Sequence, residues 1–127
     1  MIQNDPATLA EVTDAFERYE RALGDNDFAV LDELFWDSGA TVRYGVGENL
    51  YGFEAILHFR RERPGGSPPR KLRNTVITTF GETFATTCTE FVREGSTRVG
   101  RQTQSWVKTT NGWRVVAAHV SLMGDSH

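Results

Sequence analysis

The stretch that decides the fold is Thr41-Val42-Arg43-Tyr44-Gly45-Val46-Gly47-Glu48, followed shortly by Gly52-Phe53-Glu54-Ala55-Ile56-Leu57-His58-Phe59-Arg60. This pattern predicts a short strand, a glycine-containing turn and then a helix. Arg43 lies in the middle of the strand, where a purely structural strand carries apolar or small polar residues. Because a buried arginine needs an acidic partner or a ligand, Arg43 is a candidate anchor for an anion.

Two further helices are predicted before this stretch. The first has apolar residues at alternating spacings of three and four, which is typical of one helix face. Those positions are Leu9, Val12, Phe16, Tyr19 and Leu23. Asp5-Pro6 indicates the start of this helix and Gly24 its end. The second helix begins near Asp27, and the helix that follows the strand extends from Gly52 to about Arg63.

The rest of the chain predicts β-structure. A short strand covers Ala40 to Val46, and four long strands follow the third helix. The long strands are Lys71 to Phe80, Thr83 to Arg93, Val99 to Thr109 and Trp113 to Met123. The segment from Pro64 to Pro69 must be a loop, either a plain connector or a lid. The element order predicts an α+β fold with a curved antiparallel sheet and helices on one face, whose interior could hold a small ligand.

Composition limits the function classes. The chain has 127 residues, of which 39% are hydrophobic and 11% aromatic, so we expect one domain spanning residues 1–127. A net charge of −3 gives no basic footprint for nucleic acid. No polybasic or long apolar segment indicates a membrane. With a single cysteine, Cys88, and no leader-like start, we expect a cytoplasmic protein.

Several runs together resemble a known family over nearly the whole chain. They are Phe16-Glu17-Arg18-Tyr19-Glu20-Arg21-Ala22-Leu23, Leu34-Phe35-Trp36, Arg43-Tyr44-Gly45 with Glu48 and Gly52, and Ile56 with Phe59-Arg60. The chain resembles the AtzH/HpxZ-like branch of the NTF2-like (SnoaL-like) superfamily. The resemblance implies the α+β cone of that superfamily, with three helices packed on the concave face of the sheet.

The resemblance also implies a function. Members of this branch accompany amidase-type enzymes in the breakdown of small ureido acids, and one described activity is decarboxylation of 1,3-dicarboxyurea to allophanate. It therefore implies a cofactor-free enzyme, or a helper protein, that acts on a small acidic urea derivative. The superfamily as a whole hosts many unrelated functions.

Tyr19 and Arg43 are the predicted catalytic residues. Tyr19 lies on the apolar stripe of the first helix, so its ring points inward, and its hydroxyl either bonds to core backbone or faces a cavity. The resemblance favours a cavity-facing acid. Arg43 offers a planar fork of donors that suits a carboxylate. Strand alternation leaves its direction open, because Val42, Tyr44 and Val46 form the opposite face; the inward orientation comes from the resemblance.

Other polar residues are candidate substrate contacts. Glu48 and Glu20 are candidates to orient the arginine, although either could be a surface charge. Arg60 on the third helix and Arg73 on the first long strand could contact an anion or be solvated. Asn74, expected on the opposite side from Arg73, could supply a neutral donor.

His119 is a further candidate on the last strand, where alternation puts it on one face with Val115, Ala117 and Ser121. The superfamily often has polar cavity residues on this strand, but a satisfied core histidine is an equal reading. The three histidines lack metal-ligand spacing, so no metal is expected. No nucleotide or phosphate fingerprint is present, and we expect no cofactor.

The sequence also leads to hypotheses about partners. Gln102, Gln104, Trp106 and Lys108 alternate onto one face of a long strand, and a mixed polar and aromatic sheet face suits a homodimer interface. An amidase is a second candidate partner. The leading functional hypothesis is a cofactor-independent decarboxylase of an N-carboxylated urea, in which Arg43 binds a carboxylate and Tyr19 gives a proton. The alternatives are a non-catalytic binding or amidase-accessory protein, and an isomerase or dehydratase with His119 as base.

Overall fold

A computed structural model describes residues 1–63 and 65–124 and contains three helices and six strands within those ranges. The helices are α1 (Pro6–Asp25), α2 (Phe28–Leu34) and α3 (Phe53–Glu62). The strands are β1 (Val42–Tyr44), β2 (Asn49–Tyr51), β3 (Arg70–Phe80), β4 (Phe84–Arg93), β5 (Val99–Thr109) and β6 (Gly112–Leu122). The predicted α+β cone with a curved sheet is confirmed. None of the helices in the described ranges has the length and apolar character needed to span a membrane.

The first two helices begin where their capping residues predict. The Asp5 carboxylate accepts a hydrogen bond from the Thr8 backbone N–H at 3.1 Å, and Pro6 occupies the first turn. Helix α1 does not end at Gly24 but continues to Asp25, because Asn26 adopts the left-handed conformation that closes it, with φ 54°. Asp27 then caps α2 through the Val30 N–H at 3.3 Å.

The sheet has the strand order β2-β1-β6-β5-β4-β3. Strands β3 to β6 form the predicted antiparallel meander. The short strand β1 pairs in parallel with β6 and antiparallel with β2, so the sheet is not antiparallel throughout. The sequence analysis missed β2, since three residues are too few for an alternating pattern. In this parallel pairing, Arg43 lies opposite Ala118 of β6.

The face of β5 assigned to a homodimer is the wrong face. Gln102, Gln104 and Trp106 are buried, because this is the side of the sheet that the helices cover. The indole N–H of Trp106 donates to the Thr87 hydroxyl at 3.0 Å, and that hydroxyl donates to the Gln104 carbonyl oxygen at 3.0 Å. Lys108 is exposed and pairs with Glu11. The homodimer itself stays a prediction.

A β-bulge changes which residues of β6 face the helices. Ser105 lies opposite Ala117, whereas the next residue, Trp106, lies opposite Val115, so Val116 is an extra residue in the pairing. An extra residue reverses the alternation of a strand. As a result Val115 and Ala118 are both buried, and His119 lies on the exposed face. The predicted face shared by Val115 and His119 is therefore wrong.

Candidate functional site

A small cavity lies between α1, β1 and α3. Seven side chains line it: Tyr19, Leu23, Arg43, Ile56, Phe59, Arg60 and Arg63. Its volume of about 20 Å³ leaves room for roughly one water molecule. The contribution of α3 follows from helix geometry, since positions 56, 59, 60 and 63 share one face. The sequence analysis stopped at Arg60 and missed Arg63, although this spacing could have identified it.

Tyr19 faces this cavity from α1. Its side chain is almost fully buried, with 5% of the residue exposed, and its ring centroid lies 6.2 Å from that of Phe35. Within the described part of the chain, its hydroxyl makes no hydrogen bond. A buried phenol normally has a hydrogen-bond partner. Since the Tyr19 hydroxyl has none in the described chain, it can bind a water or a ligand. The alternative of a core tyrosine bonded to backbone does not match this geometry.

Arg43 lines the same cavity as Tyr19. Its side chain is 15% exposed, and its guanidinium lies 5.8 Å from the centre of the Phe59 ring. The direction that alternation left open is thus inward, while Val42 and Tyr44 lie on the outer face beside His119. The apolar side of β1 faces outward because the parallel pairing with β6, and not the hydrophobic pattern of β1, sets its orientation.

Glu48 holds Arg43 in place. One carboxylate oxygen lies 2.8 Å from Nη1 of Arg43, and the other accepts the Gly47 N–H at 3.1 Å. Gly45 makes room for this contact, because a Cβ there would lie 1.9 Å from the Glu48 carboxylate. A guanidinium has five N–H donors, so this pairing leaves Arg43 able to bind a second anion. Glu20, the other candidate orienter, instead pairs with Arg70 at 2.5 Å.

Arg60 is a cavity residue whose charge is already compensated. Its guanidinium lies 2.5 Å from Oδ1 of Asp32 and stacks 5.4 Å from the centre of the Phe35 ring. The same carboxylate also receives Arg61 at 3.2 Å. Asp32 was missed by the sequence analysis, since a single acidic residue on α2 gives no pattern that distinguishes it from a surface charge. Arg60 therefore contributes to the shape of the cavity more than it offers free donors.

Arg63 differs from Arg43 and Arg60 in having no carboxylate partner among the residues that the structure describes. Its Nε is buried and makes no hydrogen bond there, and its guanidinium lies 5.8 Å from the centre of the Phe59 ring. Burial, and then the neighbouring Arg43, lowers the pKa of the Arg63 guanidinium. The surroundings of Arg63 thus disfavour its positive charge.

Arg73 and Asn74 do not reach the cavity, which corrects their assignment as substrate contacts. Both donate hydrogen bonds to the half-buried Glu90, Arg73 at 3.0 Å and Asn74 at 2.9 Å. The pairing of β3 and β4 shifts between Arg73 and Val76, and Asn74 takes a left-handed conformation with φ 53°. This irregularity turns both side chains toward one carboxylate, so the expectation that they point to opposite sides is also wrong.

His119 is likewise outside the cavity. The bulge in β6 turns it to the exposed sheet face, where its ring packs edge-on against Tyr44 at a centroid distance of 5.9 Å. Its assignment as a cavity residue is therefore wrong. Across residues 1–63 and 65–124, no three histidine, cysteine or acidic side chains group as a metal site would require.

A second pair of arginines, one on β3 and one on β4, packs against the ring of Phe91. The guanidiniums of Arg70 and Arg93 lie 4.5 Å and 5.3 Å from the centre of the buried Phe91 ring. Arg70 is held by Glu20 and by the Gln102 carbonyl oxygen at 2.9 Å. Burial, and then Arg70, lowers the pKa of Arg93, which also interacts electrostatically with Arg43 and Glu48. This side of the sheet is therefore richer in arginine than the sequence analysis predicted.

Comparisons with known proteins agree with this architecture. A family model described as AtzH-like matches residues 1–126. Among curated proteins, none matches the chain.

Solved structures give further similarity. A protein of unknown function from Pectobacterium atrosepticum is 61% identical, with TM-score 0.94, over 96% of this chain and 95% of that chain. A cystatin-like fold protein from Burkholderia xenovorans is 46% identical, with TM-score 0.93, over 99% of both chains. An NTF2-like protein of unknown function from Pseudomonas putida, at 18% identity and TM-score 0.76, shares the fold over 95% of this chain and 90% of that chain. The chain therefore belongs to the AtzH-like family and shares its fold with NTF2-like proteins.

Proposed function

We propose that this protein is a cofactor-independent lyase that removes carbon dioxide from an N-carboxylated urea, such as 1,3-dicarboxyurea. The observation that carries the proposal is the pairing, in one cavity, of the Tyr19 hydroxyl without a protein partner in the described residues and the braced guanidinium of Arg43. The family resemblance implies the same substrate class. Arg43 would bind one carboxylate, and Tyr19 would supply a proton.

The reaction needs only an anion clamp and an acid. The carbamate C–N bond breaks with its electron pair staying on nitrogen, that nitrogen takes the Tyr19 proton, and the carboxylate leaves as carbon dioxide. Water then returns a proton to the phenolate. Protonation makes nitrogen the better leaving group, so a positioned acid can lower the barrier. Glu48 restrains Arg43, which reduces the cost of ordering the clamp when the substrate binds.

Replacing Tyr19 with phenylalanine tests the acid role, with release of carbon dioxide from 1,3-dicarboxyurea as the readout. We expect kcat to fall by at least about 100-fold, because a positioned general acid contributes that much or more. Binding of glutarate, a stable dianion of similar length, should change less than about twofold. Tyr51→Phe is the matched control, since Tyr51 is exposed and its hydroxyl contacts only Tyr44 among the described residues.

Two outcomes would count against the enzyme. Equal activity of Tyr19→Phe and Tyr51→Phe would exclude Tyr19 as the acid. A wild-type protein that binds glutarate but turns over no ureido acid would favour the alternative, a non-catalytic binding protein or an amidase partner. Activation of an amidase by the purified protein would then test that alternative directly.

An isomerase or dehydratase is less consistent with the site. The same fold occurs in a proposed ketosteroid isomerase from Parabacteroides distasonis and a proposed dehydratase from Streptomyces avermitilis, so the superfamily includes such enzymes. Their identities to this chain are 12% and 16%, which supports the fold alone. The histidine considered as a base for this chemistry, His119, is exposed on the opposite sheet face.

A further inference from the structure

The charges around the cavity do not balance. Three arginines line it, and two of them have carboxylate partners, Glu48 for Arg43 and Asp32 for Arg60. Arg63 has none within residues 1–63 and 65–124. The cavity therefore has, among the described residues, one guanidinium without a carboxylate partner, in addition to Arg43.

The position of Arg63 suits a ligand contact. It closes the end of α3, one helical turn beyond Phe59, and its side chain lies over the Phe59 ring that Arg43 also contacts. Its Nε is buried without a hydrogen-bond partner in the described chain. A donor that is buried and unpaired costs free energy. A carboxylate bound at Arg63 would remove that cost and would offset the repulsion between Arg63 and Arg43.

Arg93 adds to the positive potential on the same side. Its Nε is also buried and unpaired among the described residues. Its guanidinium interacts electrostatically with both Arg43 and Glu48. The Glu48 carboxylate thus forms an ion pair with Arg43 and also attracts the charges of Arg63 and Arg93. One acid among three cations leaves an excess of positive charge that a monoanionic ligand would not neutralise.

We propose that Arg63 binds a second carboxylate, so that the site selects small dianions with a carboxylate at each end. One carboxylate contacts Arg43 and the other contacts Arg63. The inference deepens the proposed function, because 1,3-dicarboxyurea carries two such groups. The cavity holds only about one water, so its lining must open to admit a ligand of this size.

Calorimetric titration with two matched probes tests the proposal. Glutarate carries two carboxylates separated by three atoms, and glutaramate replaces one of them with an amide of similar shape. We expect the wild-type protein to bind glutarate about tenfold or more tightly than glutaramate, as expected for one charge-assisted contact. Arg63→Gln should lose that preference by weakening glutarate alone, whereas Arg43→Gln should weaken both probes.

Arg61→Gln is the matched control. It removes the same charge from the same helix, but Arg61 is 57% exposed and lies outside the cavity. It should keep the preference for glutarate. Arg63→Lys, which keeps the charge without the planar fork, should retain part of the preference and guards against a folding defect in the glutamine variant.

The outcomes separate this inference from the proposed function. If Arg63→Gln keeps the full preference for glutarate, or loses affinity for both probes equally, Arg63 is not the second carboxylate contact, whatever the protein catalyses. If the preference depends on Arg63 but the wild-type protein releases no carbon dioxide from 1,3-dicarboxyurea, the dianion site stands and the lyase is wrong.

Discussion

Arg43 and Arg73 are both strand arginines paired with a glutamate, and they differ in what surrounds the pair. Arg43 meets Glu48 at 2.8 Å with 15% of its side chain exposed, in a cavity shared with Tyr19. Arg73 meets Glu90 at 3.0 Å with 53% exposed, on the surface of β3. The ion-pair distances are nearly equal, so distance does not distinguish the pair in the cavity from the pair on the surface.

The environment makes the distinction. In the cavity, low solvent access strengthens the electrostatic interactions of Arg43. The N–H donors that Arg43 does not use on Glu48 are available to a water or a ligand. On the surface, water competes with Glu90, and the pair has little effect beyond its own strand. The comparison shows that burial and neighbouring groups, and not pairing alone, separate a candidate site residue from a surface ion pair.

The most direct way to break this comparison is to replace each arginine by glutamine. Arg43→Gln should lower kcat/KM for 1,3-dicarboxyurea by at least about 100-fold, because it removes a desolvated contact to a substrate carboxylate. Arg73→Gln should change it less than about twofold. Comparable losses in the two variants, measured by carbon dioxide release, would contradict the assignment of the cavity as the site.

A second test applies the comparison to stability. Asp32→Ala leaves Arg60 buried without its carboxylate, and we expect a loss of about 2–3 kcal/mol in the free energy of unfolding. The neighbouring Glu33 pairs with Arg18 at the surface, where both side chains are more than two-fifths exposed. Glu33→Ala should cost less than about 1 kcal/mol. Urea denaturation measures both, and equal losses would mean that burial does not separate these pairs.

The uncharged part of the concave face allows a third test. Thr87→Val removes the hydroxyl that links Trp106 to Gln104, leaving two buried polar atoms without that partner, and should cost about 2 kcal/mol. Thr103→Val, on the exposed face of β5, should change stability by less than about 0.5 kcal/mol. Thermal unfolding that is equal for both variants would show that the hydroxyl bridge contributes nothing.

The smallest effect is expected at the surface pair. The Asn74 amide, and then Arg73, lowers the pKa of the Glu90 carboxyl below its ordinary value of 4.5. A lowered folded-state pKa stabilises the fold above the unfolded value and loses that effect as the pH falls through the folded value. Wild type should therefore be slightly more stable than Glu90→Gln at pH 7. The difference should begin to shrink as the pH falls below the ordinary pKa of 4.5, and it should be lost as the pH falls through the lowered folded-state pKa. A difference that persists or grows in acid would have another cause.

Local signals predicted much of this protein. The apolar stripe from Val12 to Tyr19, the Asp5 cap and the four long strands depend on residues close together in sequence, and the corresponding helix and strands form. Tyr19 was correctly expected to point inward for the same reason. Arg63 could have been found by extending the face of α3 by one turn, since helix periodicity places it below Phe59.

The failures share a physical cause, because one extra residue in a strand reverses every side chain beyond it. The bulge at Val116 turns His119 to the outer face, and the irregularity after Arg73 turns Asn74 toward Glu90. Alternation read from one strand cannot detect an insertion that is defined by pairing with another strand.

The element order, the α+β class, the inward stripe of α1 and the strand arginine all follow from the sequence alone, since these features depend on neighbours within a few positions. Which face of each strand meets the helices depends instead on how the strands pair and pack. The tertiary structure also showed that Arg43 shares a cavity with Tyr19 and that Arg63 remains without a carboxylate in the described chain. Those facts depend on the parallel pairing of β1 with β6 and on the packing of α3, which bring together groups distant in sequence.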